Sequence, residues 1–470
     1  MQQTRRKRNH ARERMTAGDA FASGGYGCVF YPKLTCAGTG TAGKTKRTEV
    51  KGAYVSKLML KENAIQEYNK IKLFKKYLQS IPNYSRYFLI NDVSLCKPTL
   101  TKTDVTSFKT HCKNLAKHNI TRNNIFKSET LNKMLSLNLP HGGIPVDDYM
   151  DNIEFYAQYS HLHEILVELL QKGIRPMNSH NVYHCDIKPS NILISADLSR
   201  VTIIDWGLAI HVEKRTTDMP TFWSNRPVQF NIPLSAVIFS NRFKQEYESA
   251  LSTVTYGGSG ASTEQIEKIV YKILYGNNLK EITESLSGTR DTAGRTRSRL
   301  SRKSSGIYVE NMSHYRYINR IMTYIHAGEG GGGGVGGSKI NPKNAEDLAK
   351  VNIQFTTPAV VKYMTIILKK YTSKDGVFQA LEYLHRGFLG MVDSVGFITN
   401  YLTIFEQLTE KQITTPLSTA ETKLRNLLKA LFLDYMFVPH PTGMTSGDLD
   451  TRMREIGEVI QNMGRQNMRV

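Results

Sequence analysis

Residues 184–207 constrain this chain of 470 residues more than any other stretch. They read H-C-D-I-K-P-S-N, a short apolar run, a polar turn, a second apolar run and then D-W-G. The runs N-I-L-I-S and V-T-I-I on either side of the turn predict two short strands. The loop before them carries a carboxylate (Asp186), an ammonium (Lys188) and an amide (Asn191), and a second carboxylate, Asp205, follows the hairpin. A solvated polar turn would account for Asp186 alone, not for a strand–turn–strand unit that ends on Asp-Trp-Gly. A carboxylate can orient a hydroxyl and take its proton. An ammonium can neutralise charge on a moving phosphoryl group, and carboxylate and amide oxygens suit magnesium.

Upstream, residues 20–60 read as strands broken by turns. F-A-S-G-G-Y-G-C-V-F-Y-P is a strand, a glycine turn and a second strand; 37–51 is polar; A-Y-V-S-K-L-M-L is a third strand. Ile65, Tyr68, Ile71, Phe74 and Leu78 then recur at helical spacing. Lys57 falls on the third strand and Glu67 on the helix. The segment G-T-G-T-A-G-K-T at 38–45 fits the phosphate loop G-x-x-x-x-G-K-S/T letter for letter. That loop needs a buried strand before it and a helix after it. Here the polar K-R-T-E-V-K-G follows, broken by Gly52, so 37–51 reads as a loop between the second and third strands.

Hydrophobic residues make up 40% of the chain, enough at this length for two lobes plus insertions. No run approaches the ~18 consecutive apolar residues of a membrane span. The first residues carry charge with no apolar segment behind it, unlike a secretory signal. Cys28, Cys36, Cys96, Cys112 and Cys185 are odd in number and lack zinc spacing. This predicts free thiols in a reducing, intracellular compartment. The net charge of +21 favours acidic partners and is concentrated in R-R-K-R near the start and R-T-R-S-R-L-S-R-K at 295–303. No aromatic residue interleaves with either run, so both read as solvated segments; nucleic acid is the further partner class that the basic tail and loop admit. A helix is predicted over 153–172. On it His161 and His163 stand two apart, on different faces, and read as packing or exposed residues rather than metal ligands. The glycine run at 328–337, with the basic stretch before it, reads as a mobile insertion.

These residues together resemble the protein kinase superfamily. A-S-G-G-Y-G-C-V is similar to the family's G-x-G-x-x-G-x-V, with Ala22 in place of the first glycine, Gly24 and Gly27 on the second and third, and Val29 on the residue that packs against adenine. The resemblance implies a nucleotide site of Ala22, Ser23, Gly24, Gly25, Gly27, Val29, Val55 and Lys57. It implies Glu67 as the ion-pair partner of Lys57, with Glu62 as the fallback. It also implies catalytic roles for Asp186 and Lys188, magnesium ligands in Asn191 and Asp205, and ATP and Mg2+ as cofactors. Lys188 and Pro189 resemble the serine/threonine type. Cys185 stands where the family often has an arginine that pairs with an activation-loop phosphate, so phosphorylation there is not expected to switch the enzyme. Trp206 takes the place of the usual phenylalanine.

No A-P-E follows. The chain reads R-P-V-Q-F-N-I-P-L-S-A-V-I-F-S instead, and in this region it resembles kinases of nucleocytoplasmic large DNA viruses. M-V-D-S-V-G-F at 391–397 resembles the start of the family's large central helix, and L-L-K-A-L-F-L-D-Y-M at 427–436 a later one. The expected fold is therefore α+β, a bilobal protein-kinase-like fold. A disordered basic tail would cover 1–18 and a small β-rich N-lobe 19–139. A larger helical C-lobe would cover 140–470, with an insertion at about 240–385. The expected activity is transfer of the γ-phosphoryl group of MgATP to a serine or threonine hydroxyl of a protein substrate, basic or virion-associated. The alternative is a catalytically weak pseudokinase or virion structural or interaction protein on the same fold.

Overall fold

The computed structural model describes residues 19–23, 27–37, 54–153, 156–213, 217–224, 226, 229–254, 260–276, 312–327 and 340–467. The basic tail (1–18), Gly24, Gly25, the 38–45 motif, the basic stretch at 295–303 and the glycine run at 328–337 lie outside the described residues. The chain divides into two compact units, Met1–Gly143 with Ser195–Gly207, and Ile144–Ile194 with Leu208–Val470.

In the first unit, β1 (Asp19–Ser23) and β2 (Gly27–Tyr31) form the expected hairpin. A short β3 (Thr35–Cys36) precedes β4 (Tyr54–Leu60). β5 (Ser94–Cys96), β6 (Pro98–Thr99) and β7 (Met134–Pro140) complete the set. Five of them make an antiparallel sheet in the order β1-β2-β4-β7-β5, while β3 pairs with β6. Directly opposed residues share a face, and the face repeats every second residue. Val29 lies opposite both Ala22 and Lys57, and Val55 lies opposite Leu139. Ala22, Val29, Val55 and Lys57 therefore line one face of the sheet.

Helix α1 (Lys61–Leu78) begins as β4 ends. Glu62 in its first turn and Lys75 and Lys76 in its last complement the helix dipole. Its buried stripe is Ala64, Glu67, Ile71, Phe74 and Leu78, at spacings of three and four. Ile65, expected on this stripe, is 37% exposed instead; the inward positions of the first turns are Ala64 and Glu67.

The prediction of free thiols is overturned for four of the five cysteines. Cys28 is bonded to Cys112 and Cys36 to Cys96, and only Cys185 is free, buried in the second unit. The bonded pairs are 84 and 60 residues apart, so no local spacing announces them. Cys36 and Cys96 lie on β3 and β5, and Cys112 reaches Cys28 because residues 97–133, which carry no strong periodic signal, fold back on the sheet. Val105, Phe108, Leu115, Ile120 and Ile125 bury themselves in one cluster with Phe30 and Leu58. Beside the second pair Asn138 points its Nδ2 at both sulfurs (3.4 Å each) and accepts from Ser56 and Ser136. The cysteine count thus no longer argues for a reducing compartment.

The second unit is helical. The helix predicted over 153–172 runs as Tyr156–Glu168, passes through a π-helical turn (Leu169–Ile174) and ends at Ser179. Trp223, Phe239, Tyr383 and Phe388 pack their rings together, edge-to-face, tilted or stacked, at centroid distances of 4.8–5.8 Å. The helices Thr263–Tyr275, Met312–His326 and Thr357–Tyr371 bury Ile273, Tyr315, Ile318, Met364 and Leu368. The described part of 240–385 is thus core of this unit. Among the described residues no single helix is long and apolar enough to cross a membrane.

Candidate active site

In the first unit, β4 and α1 bring Lys57 and Glu67 together. The Lys57 ammonium donates to both Glu67 oxygens at 2.8 Å and to Asp205 Oδ1 at 3.1 Å. Lys57 and Glu67 are buried, at 5% and 3% exposure. Burial works against the charge on Lys57, but the Asp205 and Glu67 carboxylates outweigh it and hold its pKa above the usual lysine value. Asp205 takes the left-handed backbone conformation (φ 63°), and the next residue, Trp206, is buried against Phe74 and Phe88, each 5.7 Å away. Lys70 of α1 donates to the Gly207 carbonyl at 2.6 Å, so the Asp-Trp-Gly turn is fastened to α1 at two points. Glu62 lies on the exposed side of α1.

Along the hairpin, Gly27 has a reason of its own. A Cβ there would stand 2.1 Å from the Leu58 carbonyl oxygen, so glycine is demanded by the close approach to β4. The Ser23 hydroxyl donates to the His111 carbonyl, tying β1 to the short helix Phe108–His111.

In the second unit, the loop at 184–191 lies between the strands Val182–Tyr183 and Ile192–Ile194, and the latter pairs with Ile144–Pro145. Asp186 is 6% exposed, with both oxygens engaged. Its Oδ2 accepts from Asn191 Nδ2 (2.9 Å) and Lys188 Nζ (3.0 Å), and its Oδ1 from Asn231 Nδ2 (2.9 Å) and Lys188 (3.2 Å). Asn191 Nδ2 also donates to the Asp186 carbonyl at 2.8 Å. Spending its amide hydrogens on Asp186 fixes which way the Asn191 amide faces and turns its oxygen away from Asp186. The carboxylate of Asp205 in the first unit and the amide oxygen of Asn191 in the second are each of the hard oxygen type that magnesium takes.

Sequence reasoning missed several supports of this loop. Asp393, 1% exposed, accepts from the His184 and Cys185 backbone N–H groups (2.9 and 2.8 Å) and from Asn178 Nδ2 (2.7 Å). It sits on the helix Val392–Ile398, inside the M-V-D-S-V-G-F stretch singled out for its helix, although the aspartate itself received no role. On that helix a Cβ at Gly396 would meet the Ile187 carbonyl at 2.6 Å, so the helix lies hard against the loop. Arg226 donates through its Nη2 to the Cys185 carbonyl and through Nε to Gln229 Oε1 at 2.7 Å. Asn231 reaches Asp186 itself. His314, from the 240–385 segment, lies 6.1 Å from the ring of Phe230, and burial, then the Lys188 ammonium, lower its pKa. Only the proline-containing run R-P-V-Q-F-N signalled a departure at 226–231.

His163 is a packing residue, as its spacing from His161 predicted. It is buried, with Nδ1 2.9 Å from the Tyr401 hydroxyl. Among the described residues no cluster of His, Cys, Asp and Glu could hold a metal ion as a three-residue site.

Residues 101–226 match the family model described as the protein kinase domain. That span contains Asp186, Lys188, Asn191 and Asp205, while Lys57 and Glu67 precede it.

Proposed function

We propose, on the premise that the chain belongs to the protein kinase superfamily, that it transfers the γ-phosphoryl group of MgATP to a serine or threonine hydroxyl of a protein. The observation that carries the reading is the setting of Asp186, buried and held at both oxygens beside Lys188. In the proposed reaction the acceptor oxygen attacks the γ-phosphorus, the bond to the bridging oxygen of ADP breaks, and the hydroxyl proton passes to Asp186. Lys188 offsets charge on the phosphoryl oxygens in flight. Lys57, kept charged by Glu67, offsets charge on the α- and β-phosphates. Asn191 and Asp205 would hold the magnesium ion, which when bound neutralises phosphate charge. Catalysis of this kind is positioning and electrostatics, with no covalent intermediate on the protein.

Lys188 and Pro189 after Asp186 support a serine or threonine acceptor, and the absence of A-P-E motivates the competing scaffold reading. The test is incubation with γ-labelled ATP and a basic protein, followed by phosphoamino-acid analysis. Label on serine or threonine, lost in Asp205→Ala, is the expected result. Equal labelling by wild type and Asp205→Ala, or none by either, would favour the scaffold.

A further inference from the structure

We infer that Asn231 is a positioning residue for phosphoryl transfer, aiming the Asp186 carboxylate at the acceptor hydroxyl. Asn231 is 1% exposed and lies 45 residues beyond Asp186. It divides its amide hydrogens between Asp186 Oδ1 (2.9 Å) and the Ile187 carbonyl (3.0 Å). One contact grips the carboxylate and the other grips the backbone that carries it, so the side chain fixes their relative orientation. Lys188 cannot do this, because its flexible stem follows the carboxylate wherever it turns. Asn191 grips the Asp186 carbonyl and Oδ2, and Asn231 adds the hold on Oδ1, so the carboxylate is fixed at both oxygens by amides that are themselves tied to the loop backbone.

Arg226 anchors the same segment. Its guanidinium lies over the Phe222 and Trp223 rings (4.5 and 5.0 Å), takes the Cys185 carbonyl, and ties Gln229 two residues before Asn231. Cys185 itself has no side-chain charge to offer. The loop is thus held from outside by Arg226 and Asn231.

The inference rests on the transferase reading, and the experiment separates the two. Wild type, Asn231→Leu and Asn231→Asp are compared for kcat, KM for ATP and for a basic protein acceptor, ATP affinity by equilibrium binding, and thermal midpoint. Leucine keeps the volume without the hydrogen bonds; aspartate keeps the shape and sets a carboxylate against Asp186. The expected result is a fall in kcat of about a hundredfold in both variants, the loss typical of a misaimed catalytic group, with both KM values and ATP affinity within about threefold. Unchanged kcat in Asn231→Leu would overturn the inference while leaving an active wild type to support transfer. Parallel loss of kcat, ATP affinity and thermal midpoint in both variants would also overturn it, since that is the pattern of a structural residue. A wild type inactive towards every acceptor would bring down the transferase reading and this inference with it.

Discussion

Burial of a lone ammonium favours the neutral amine, and Lys57 is 5% exposed. Two carboxylates within 3.1 Å reverse that preference, which is what a lysine needs if it is to present a positive charge to phosphates. His163 shows the opposite outcome. It is buried with a hydroxyl partner, and its pKa falls from 6.5 to about 4, burial being the main cause. A histidine held neutral when folded takes up a proton more readily when unfolded, so its contribution is present above the unfolded value and lost as pH falls towards the folded one. Stability should therefore drop by about 2 kcal/mol between pH 7 and pH 5 on this account alone. Urea midpoints at the two pH values for wild type and His163→Gln check this. The variant should lose that part of the slope, and an unchanged slope would assign it elsewhere.

At the scale of elements, close approaches decide where helices sit. The C-terminal helix Ser446–Asn467 lies against Tyr156–Glu168 at Gly457, where an added Cβ would meet His163 Nε2 at 2.7 Å. Alanine is the better helix former by ~1 kcal/mol, so propensity alone predicts that Gly457→Ala stabilises. Packing predicts the reverse, because His163 is fixed by Tyr401 and cannot swing away, and overpacking costs about 1–3 kcal/mol. We expect net destabilisation of about 1 kcal/mol in denaturant unfolding, the difference of these two terms. A more stable variant would show that the helices can part freely. The same geometry at Gly396 presses the Asp393 helix against the loop at 184–191, so an element far along the chain sets the backbone of residues 184 and 185.

For the molecule as a whole, legibility in the sequence followed the range of the contacts. The loop residues Asp186, Lys188 and Asn191 lie within six positions of one another, and strand–turn–strand patterning frames them, so they could be read directly. Lys57 and Glu67 were readable from their order on a strand and the helix after it. The stretches at 391–397 and 427–436 were singled out by resemblance to helices of the kinase family, and residues 392–397 and 427–436 are helical. What stayed hidden acts over long separations with no repeating spacing. Asp393 reaches back more than 200 residues, Asn231 reaches 45, and the two disulfides join residues 84 and 60 positions apart. Ile65 was misplaced because hydropathy alone puts isoleucine and tyrosine inward, whereas the stripe is phased through Ala64 and Glu67, the partner of Lys57. Ser23 and Gly27, read for phosphate contact, have partners within their own unit in His111 and the Leu58 carbonyl.

In the proposed reaction Asp186 takes the acceptor proton, and one substitution addresses that role. Asp186→Asn keeps the size of the side chain and removes its basicity. Single-turnover transfer from γ-labelled ATP to a basic protein, measured alongside ATP affinity, should show the rate fall by about 10²–10⁴-fold, the usual worth of a general base, with ATP affinity nearly unchanged. A variant that transfers phosphate as fast as wild type would contradict the account.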